Sequence, residues 1–142
     1  MKNLIRLAIT TAFLLPTLAF AGSGKAIVPH WNSAVANTPT YVFISNITDN
    51  YINVTVTFYD RNGNTVPVTT YDNMTSTQIY PNQTGRVTLT PTVFDFGYAT
   101  IEWENVQGDN NTVALIAHGY KLVQETDRAN AYAIPINNGM PF

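Results

Sequence analysis

The chain has 142 residues, of which 45% are hydrophobic, 12% aromatic and only 11% charged, with no cysteine and a formal net charge of -2. A disordered chain would have few aromatic residues and a high net charge, and a nucleic-acid-binding domain would be basic, so both classes are excluded. Without cysteine there is no disulfide framework, thiolate nucleophile or Cys-ligated metal. The length is that of one folded domain.

Residues 1–21 have the parts of a secretory signal peptide. Lys2 and Arg6 precede an uncharged apolar stretch over residues 7–18, and small residues then mark a cleavage site. The apolar stretch is shorter than the roughly 20 residues that span a bilayer. We therefore expect a single exported domain over residues 22–142, periplasmic, secreted or at the cell surface, without a membrane span in the mature chain.

The first part of the domain predicts two strands. Residues 25–28 form a short strand that ends at Pro29, and the small and polar residues 31–39 form a loop. Residues 40–45 follow as a strand that is apolar on both faces, which is typical of a central position in a sheet.

Residues 52–59 are the clearest strand of the chain. Apolar residues there alternate with Asn, Thr and Tyr, as expected for a strand with one buried face. The turn that follows contains Gly63, which can take the positive φ that tight turns require, and the chain resumes as a strand at 65–68. These features predict a β-hairpin.

The second half of the chain predicts five more strands. They cover residues 77–80, 86–90, 98–104, 112–124 and 131–136. The turn residues of 81–85 separate the first two, and Gly119 predicts a bend in the longest. Short strands at this spacing, with no helical period, predict an all-β antiparallel β-sandwich, jelly-roll or immunoglobulin-like, of about 7–9 strands.

The order of the segments resembles one small family. KAIVPHW, YVFISNITDNYINVTVTFYD, and YATIEWEN followed by ALIAHGYKL are similar to the sensory rhodopsin transducer family. That family has an aliphatic strand ending in Asn, a strand of the form V-x-I-x-I-Y-Y and a late aliphatic strand carrying a His. The resemblance implies an antiparallel β-sandwich that assembles as a homotetramer and has been likened to carbohydrate-binding modules. The predicted signal peptide is a departure, so a cytoplasmic photoreceptor partner is not implied.

Residues suited to catalysis are scarce. The two histidines, His30 and His118, have no fixed short spacing to carboxylates, and no hydrolase, phosphate-binding or calcium-loop motif is present. Glu102 and Glu104 share one face of a strand about 7 Å apart, which leaves a small hydrolase or a cation site as remote alternatives. We expect no enzyme, no metal and no cofactor.

Aromatic residues suggest binding instead. Tyr59 and Tyr98 lie on polar strand faces, where aromatic rings among Asn and Thr can stack on sugars or contact a protein. With Trp31 at the start of the predicted loop, and with Glu102 and Glu104, they form the candidate ligand site. Its expected ligand is a glycan or a surface protein.

The strands that are apolar on both faces predict an interface. A two-layer sandwich covers only one face of each strand, so residues 41–44 and 113–117 need a second cover. We expect another subunit there, in contact with Tyr41, Phe43, Leu115 and His118. In a narrower version, residues 22–28 extend outward and pair with a neighbouring subunit, as in pilins.

Together these patterns predict an exported, non-enzymatic β-sandwich that acts by self-association or by binding at a surface. A homo-oligomer is the expected state, and nucleic acid is not an expected partner. The alternative function is that of a carbohydrate-binding module, and a small hydrolase is the remote one.

Overall fold

The computed structural model describes residues 22–33, 38–106, 108–125 and 128–142, so the predicted signal peptide lies outside the described residues. Ten strands and one turn of 3-10 helix, Asn137–Gly139, form its regular structure. The strands are β1 (Ser23–Ser33), β2 (Thr40–Asn46), β3 (Ile52–Asp60), β4 (Thr65–Val66), β5 (Thr70–Asp72), β6 (Gln78–Ile79), β7 (Thr84–Leu89), β8 (Asp95–Asn105), β9 (Leu115–Glu125) and β10 (Arg128–Pro135).

All strand pairs are antiparallel, and they form two five-stranded sheets. Sheet I has the order β1-β8-β3-β4, with β6 also paired to β3, and sheet II has the order β10-β9-β2-β7-β5. Apolar side chains from both sheets form one buried core between them. The all-β sandwich predicted from the sequence is therefore confirmed.

The centre of sheet I follows directly from the alternating sequence. On β3, Ile52, Val54, Val56 and Phe58 are no more than 6% exposed. On β8, the neighbouring strand, the same alternation buries Ala99, Ile101 and Trp103. Because side chains alternate between the faces of a strand, the Thr, Tyr and Glu residues of the two strands form the outer face of sheet I.

Strand β2 is central in sheet II, as its two apolar faces predicted. It pairs with β7 on one side and β9 on the other. Val42 and Ile44 are fully buried on the inner face, whereas Tyr41 and Phe43 alternate with them and point outward. The outward pair is only half-buried.

Strand β1 is longer than predicted. It continues past Pro29 to Ser33, with a shift of pairing register between Val28 and Trp31. Proline has no N–H to donate, so a strand tolerates it at an edge or a bulge, and β1 supplies both conditions. The prediction of a loop at 31–39 is therefore wrong for residues 31–33, and residues 34–37 lie outside the described part of the chain.

The proposed outward extension of residues 22–28 is also wrong. Ser23 pairs with Glu104 and Val28 with Ala99, so this segment is an integral strand of sheet I in its own chain. Gly22 extends the pairing, since the N–H of Asn105 donates to its carbonyl oxygen at 3.0 Å.

The hairpin turn after β3 is confirmed. Gly63 has a φ of +82°, and the side chain of Asp60 closes the turn. Its Oδ1 accepts hydrogen bonds from the backbone N–H groups of Asn62 and Asn64, both at 2.8 Å. The returning strand is only Thr65–Val66.

Two later segments differ in detail from the prediction. The strands on either side of residues 81–85 lie in different sheets, so this segment carries the chain from β6 across to β7. Strand β9 begins at Leu115, and its pairing runs without interruption through Gly119. Gly119 therefore lies in regular pairing without a bulge, and the predicted bend there stays a prediction.

Candidate functional site

Four aromatic rings form a cluster on the outer face of sheet II. Tyr41 and Phe43 come from β2, and the register places them opposite Tyr120 and His118 of β9. The ring centroid of Phe43 lies 5.2 Å from that of His118 and 5.6 Å from that of Tyr120, with interplanar angles of 10° and 13°. Tyr41 and Tyr120 are 5.0 Å apart. We call these four residues the sheet II aromatic cluster.

Charged and polar side chains beside the cluster are paired with one another. The guanidinium carbon of Arg86 lies 5.4 Å from the ring centroid of Tyr41, within the range of a cation–π contact. The same guanidinium contacts Asp72 Oδ2 at 2.9 Å. At another edge the hydroxyls of Ser45 and Thr84 are hydrogen-bonded at 2.7 Å. The surface therefore combines stacked rings with a rim whose ionic charges are already paired.

Three of the four predicted interface residues lie in this cluster, and the fourth does not. Leu115 is fully buried, at 0% exposure. Its backbone N–H donates to the carbonyl oxygen of Phe142 at 3.0 Å and its carbonyl accepts from the N–H of Phe142 at 2.9 Å. Leu115 is therefore a core residue, and its place in the predicted interface is wrong. Ile116, one residue later, points outward and is half-buried.

A second aromatic surface lies on the outer face of sheet I. Phe94, Phe96 and Tyr98 follow each other at every second position and are 58%, 40% and 42% exposed. Phe94 and Phe96 have ring centroids 6.3 Å apart, and Tyr98 stacks on Tyr59 of β3 at 4.9 Å and 18°. We call these four residues the sheet I aromatic row.

Arg61 fixes one end of this row. Its guanidinium carbon lies 5.0 Å from the ring centroid of Phe96 and 5.7 Å from that of Phe94. Asp95 Oδ1 accepts a hydrogen bond from Arg61 Nε at 2.9 Å. Of the row, only Tyr59 and Tyr98 were predicted as ligand-binding residues. The alternation at positions 94, 96 and 98 was the signal that could have added Phe94 and Phe96.

The two predicted carboxylates lie further along the same face. At about 3.3 Å per residue, Glu102 and Glu104 are roughly 13 and 20 Å from Tyr98 along β8. Glu102 Oε1 lies 2.5 Å from Lys25 Nζ on the adjacent strand, and this hydrogen bond raises the pKa of Lys25. Both carboxylates border a shallow depression of about 530 Å³, together with Asn53. They are exposed, and Glu102 is already engaged by a lysine.

Trp31 does not belong to the predicted ligand surface. It is 1% exposed, and its Nε1 donates a hydrogen bond to the carbonyl oxygen of Tyr59 at 2.9 Å. The sequence placed Trp31 in a loop, whereas β1 continues through it and turns the indole toward the core and away from the outer face of sheet I.

The two histidines do not form a joint site. His118 is exposed within the sheet II aromatic cluster, and His30 is exposed on β1. No group of three His, Asp or Glu residues placed to hold a metal ion occurs in the described part of the chain.

In that described part there is also no helix long and apolar enough to cross a membrane.

Comparisons with known proteins give one structural likeness. No family model matches the chain, and no curated protein matches it. The structure is similar to the crystal structure of Thermotoga maritima 1070, with 14% sequence identity and a TM-score of 0.49. The alignment covers 79% of this chain and 90% of that one. A likeness this distant assigns no function.

Proposed function

We propose that this protein is a non-enzymatic, exported β-sandwich that associates with copies of itself through the sheet II aromatic cluster. The observation that carries the proposal is the stacked set of Tyr41, Phe43, His118 and Tyr120 on the outer face of the two central strands. The described strands form two sheets and no third layer over these rings, which remain half-buried or, for His118, exposed. Stacked aromatic side chains dominate the energetics of protein interfaces once they are covered.

A second copy of the chain fits this surface better than a charged partner does. Among the described side chains, the ionic pair beside the cluster is Arg86 and Asp72, whose charges neutralise each other. In a two-fold symmetric dimer the same patch lies on both sides, so an internally neutral patch does not repel its copy. Aromatic residues are enriched at the centre of such interfaces and unpaired charges are depleted there.

The mass of the protein in solution tests this proposal. We expect the wild type to form dimers or larger assemblies at about 100 µM, a concentration at which a complex of micromolar affinity is mostly associated. Phe43→Ser should give monomers, because it removes the ring at the centre of the cluster. The matched control is Ile27→Ser, which removes an exposed apolar side chain from the outer face of sheet I.

Two results would contradict the proposal. One is a wild type that remains monomeric at this concentration by light scattering and sedimentation. The other is a folded Phe43→Ser variant that assembles as the wild type does, with circular dichroism establishing that it is folded. His118→Glu provides a second test at an exposed position, where a new carboxylate would face its symmetry copy.

The sheet I aromatic row supports a second candidate function, the binding of a glycan chain. Phe94, Phe96 and Tyr98 present exposed rings at successive outward positions, and Lys25, Glu102 and Glu104 add polar groups further along the strand direction. Rings provide stacking surfaces for the apolar faces of sugars, and polar side chains bind their hydroxyls.

Calorimetry with soluble oligosaccharides, chosen by a glycan array, tests this candidate. Phe96→Ala should weaken binding at least tenfold, because it removes the central ring of the row. Tyr132→Ala is the control, since Tyr132 is more exposed than Phe96 but lies on β10 of the other sheet. A glycan array without a hit, or equal binding by both variants, would contradict a glycan-binding role.

Export is part of the proposal and rests on residues 1–21. The basic start, the apolar stretch and the small residues before residue 22 are the supporting features. We expect the protein recovered outside the cytoplasm to begin at Gly22. Mass spectrometry of the intact secreted protein measures this, and retention of residues 1–21 would contradict it.

A further inference from the structure

A pocket of about 310 Å³ opens between the two sheets on the side where β1 faces β10. Its volume is at the lower end of the range for small-molecule sites. We call it the inter-sheet pocket. The residues that define it are Trp31, Asn32, Thr40, Lys121, Tyr132 and Ile134. It is separate from both aromatic surfaces, which lie on the outer faces of the sheets.

The pocket contains an ammonium group that has no counter-charge among the side chains the structure describes. Lys121 is only 8% exposed, and its Nζ donates a hydrogen bond to the neutral amide oxygen Oδ1 of Asn32. Burial lowers the pKa of Lys121. Among the side chains that the structure describes, which exclude 122–130, no carboxylate pairs with Lys121. Lys25, Arg61 and Arg86 are all more exposed than Lys121, and each is paired with a carboxylate.

A buried charge that is not paired is costly, because it has left water. The most buried of these four cations is therefore the one that a bound anion would stabilise most. Thr40, directly opposite Lys121 in the β2–β9 register, adds a second polar group to this wall. Its Oγ1 is buried and has no hydrogen-bond partner among the described residues.

Most of the remaining lining is apolar. Trp31 and Ile134 are buried apolar side chains, and Pro29, Ala133 and Pro135 add to the walls. The polar groups of His30 and Tyr132 belong to exposed residues of the lining. Such walls favour an apolar body and disfavour a sugar, whose hydroxyls would find few partners. The single positive charge of Lys121 is balanced by the single negative charge of a carboxylate. A phosphate with two negative charges would leave one of them unpaired.

We propose that the inter-sheet pocket binds a small monocarboxylate with an apolar body. Its carboxylate accepts a hydrogen bond from Lys121 Nζ, and its body lies against Trp31 and Ile134. The site does not depend on self-association or on glycan binding, so its test stands apart from theirs.

Three ligands with the same chain and different head groups test the proposal on the wild type. Octanoate should bind saturably at one site in calorimetry, octanol at least tenfold more weakly, and octylammonium not at all. In NMR spectra the indole N–H signal of Trp31 should shift with octanoate, whereas that of Trp103, outside the pocket, should not. Equal binding of octanoate and octanol, or a shift of neither indole signal, would overturn the proposal.

Two variants localise the site. Lys121→Met retains the length of the side chain without its charge and should weaken octanoate binding at least tenfold, while octanol binding stays within about twofold. Lys25→Met is the matched control on the outer face of sheet I. Octanoate binding that is unchanged in a folded Lys121→Met variant would overturn the proposal.

Ile134→Phe provides the test if Lys121→Met does not fold. It keeps the ammonium and fills the apolar part of the pocket, so both octanoate and octanol should bind at least tenfold more weakly. Thermal unfolding monitored by circular dichroism establishes that each variant is folded. Octanoate affinity equal to that of the wild type in Ile134→Phe would place the ligand elsewhere and overturn the assignment.

Discussion

Trp31 of β1 and Gly97 of β8 face each other directly in the strand pair, and the indole crosses the glycine to reach the next strand. Trp31 Nε1 donates to the carbonyl oxygen of Tyr59 on β3 at 2.9 Å. A Cβ atom at residue 97 would lie 1.8 Å from that oxygen and 3.0 Å from Nε1. The absence of a side chain at residue 97 is therefore what allows one tryptophan to link three strands of sheet I.

A second Trp–Gly pair occupies the other end of the same two strands. Trp103 of β8 is opposite Gly24 of β1, and a Cβ atom at residue 24 would lie 2.3 Å from the indole nitrogen. In this pair the tryptophan lies on β8 and the glycine on β1, the reverse of the first pair. Both ends of the β1–β8 pair are thus packed by an indole placed over a glycine.

The first prediction is that Gly97→Ala destabilises the protein by about 3 kcal/mol, the upper part of the range for overpacked interiors. The added methyl group would displace the Tyr59 backbone or the Trp31 indole. Gly63→Ala is the control, because nothing lies within 4 Å of a Cβ at that position. Its cost should be only the roughly 1–2 kcal/mol of a left-handed residue.

Urea unfolding of both variants measures these values. A Gly97→Ala variant no less stable than Gly63→Ala would mean that the close contact at residue 97 is relieved without cost. In that case the Trp31 hydrogen bond does not depend on the glycine.

The alternating sequences of β3 and β8 predicted the centre of sheet I because both strands have one apolar and one polar face. Period-two alternation indicates which side chains of a strand are buried, and this prediction needs no information about the neighbouring strand. The continuation of β1 past Pro29 could not be predicted in this way. It depends on a bulge and on the pairing of Trp31 with Gly97, which are 66 positions apart in the chain.

The interface itself stays a prediction, but the structure shows which of its residues share one face of sheet II. Tyr41, Phe43 and His118 were placed together correctly, since strand parity puts them on one face. Leu115 and Ile116 lie in a run that is apolar on both faces, but only Ile116, two residues from His118, shares the outward face of His118. Leu115 is three residues from His118 and therefore points inward. The inclusion of Leu115 in the predicted interface was therefore an error of parity that the sequence could have avoided.

The second prediction concerns Asn46, a buried residue at the end of β2. Its Nδ2 donates to the carbonyl oxygens of Asn50 at 2.7 Å and Tyr80 at 3.0 Å. Its Oδ1 accepts from both the N–H and the hydroxyl of Thr48 at 2.9 Å. Asn46→Ala leaves these groups without their partner, and unsatisfied buried groups cost about 1–3 kcal/mol each. We expect a loss of about 3 kcal/mol.

Asn53→Ala is the matched control for Asn46→Ala. Asn53 lies on the outer face of sheet I and accepts one long hydrogen bond, at 3.4 Å, from Gln78. Its replacement should change the free energy of unfolding by no more than about 0.5 kcal/mol. Equal losses in the two variants, measured by urea unfolding, would mean that the Asn46 network contributes nothing specific.

The last prediction concerns pH and the carboxylate of Asp60. Hydrogen bonds from the Asn64 side chain, then from backbone N–H groups of the turn, lower the pKa of Asp60 below its usual value of 3.8. A carboxyl whose pKa is lower in the folded state binds fewer protons there than in the unfolded chain. Its stabilising contribution is therefore complete above the unfolded pKa and is lost as pH falls through the folded pKa.

Asp60→Asn removes this dependence on pH. Above about pH 5 the wild type should be more stable than Asp60→Asn by a constant amount, and the difference should shrink as pH falls below about 4. Urea unfolding between pH 2 and 7 measures the difference. Glu104→Gln, at an exposed position on sheet I, corrects for the general effect of removing a carboxylate. A difference between wild type and Asp60→Asn that grows as the pH is lowered would contradict the stabilising role of the ionised Asp60 in the turn.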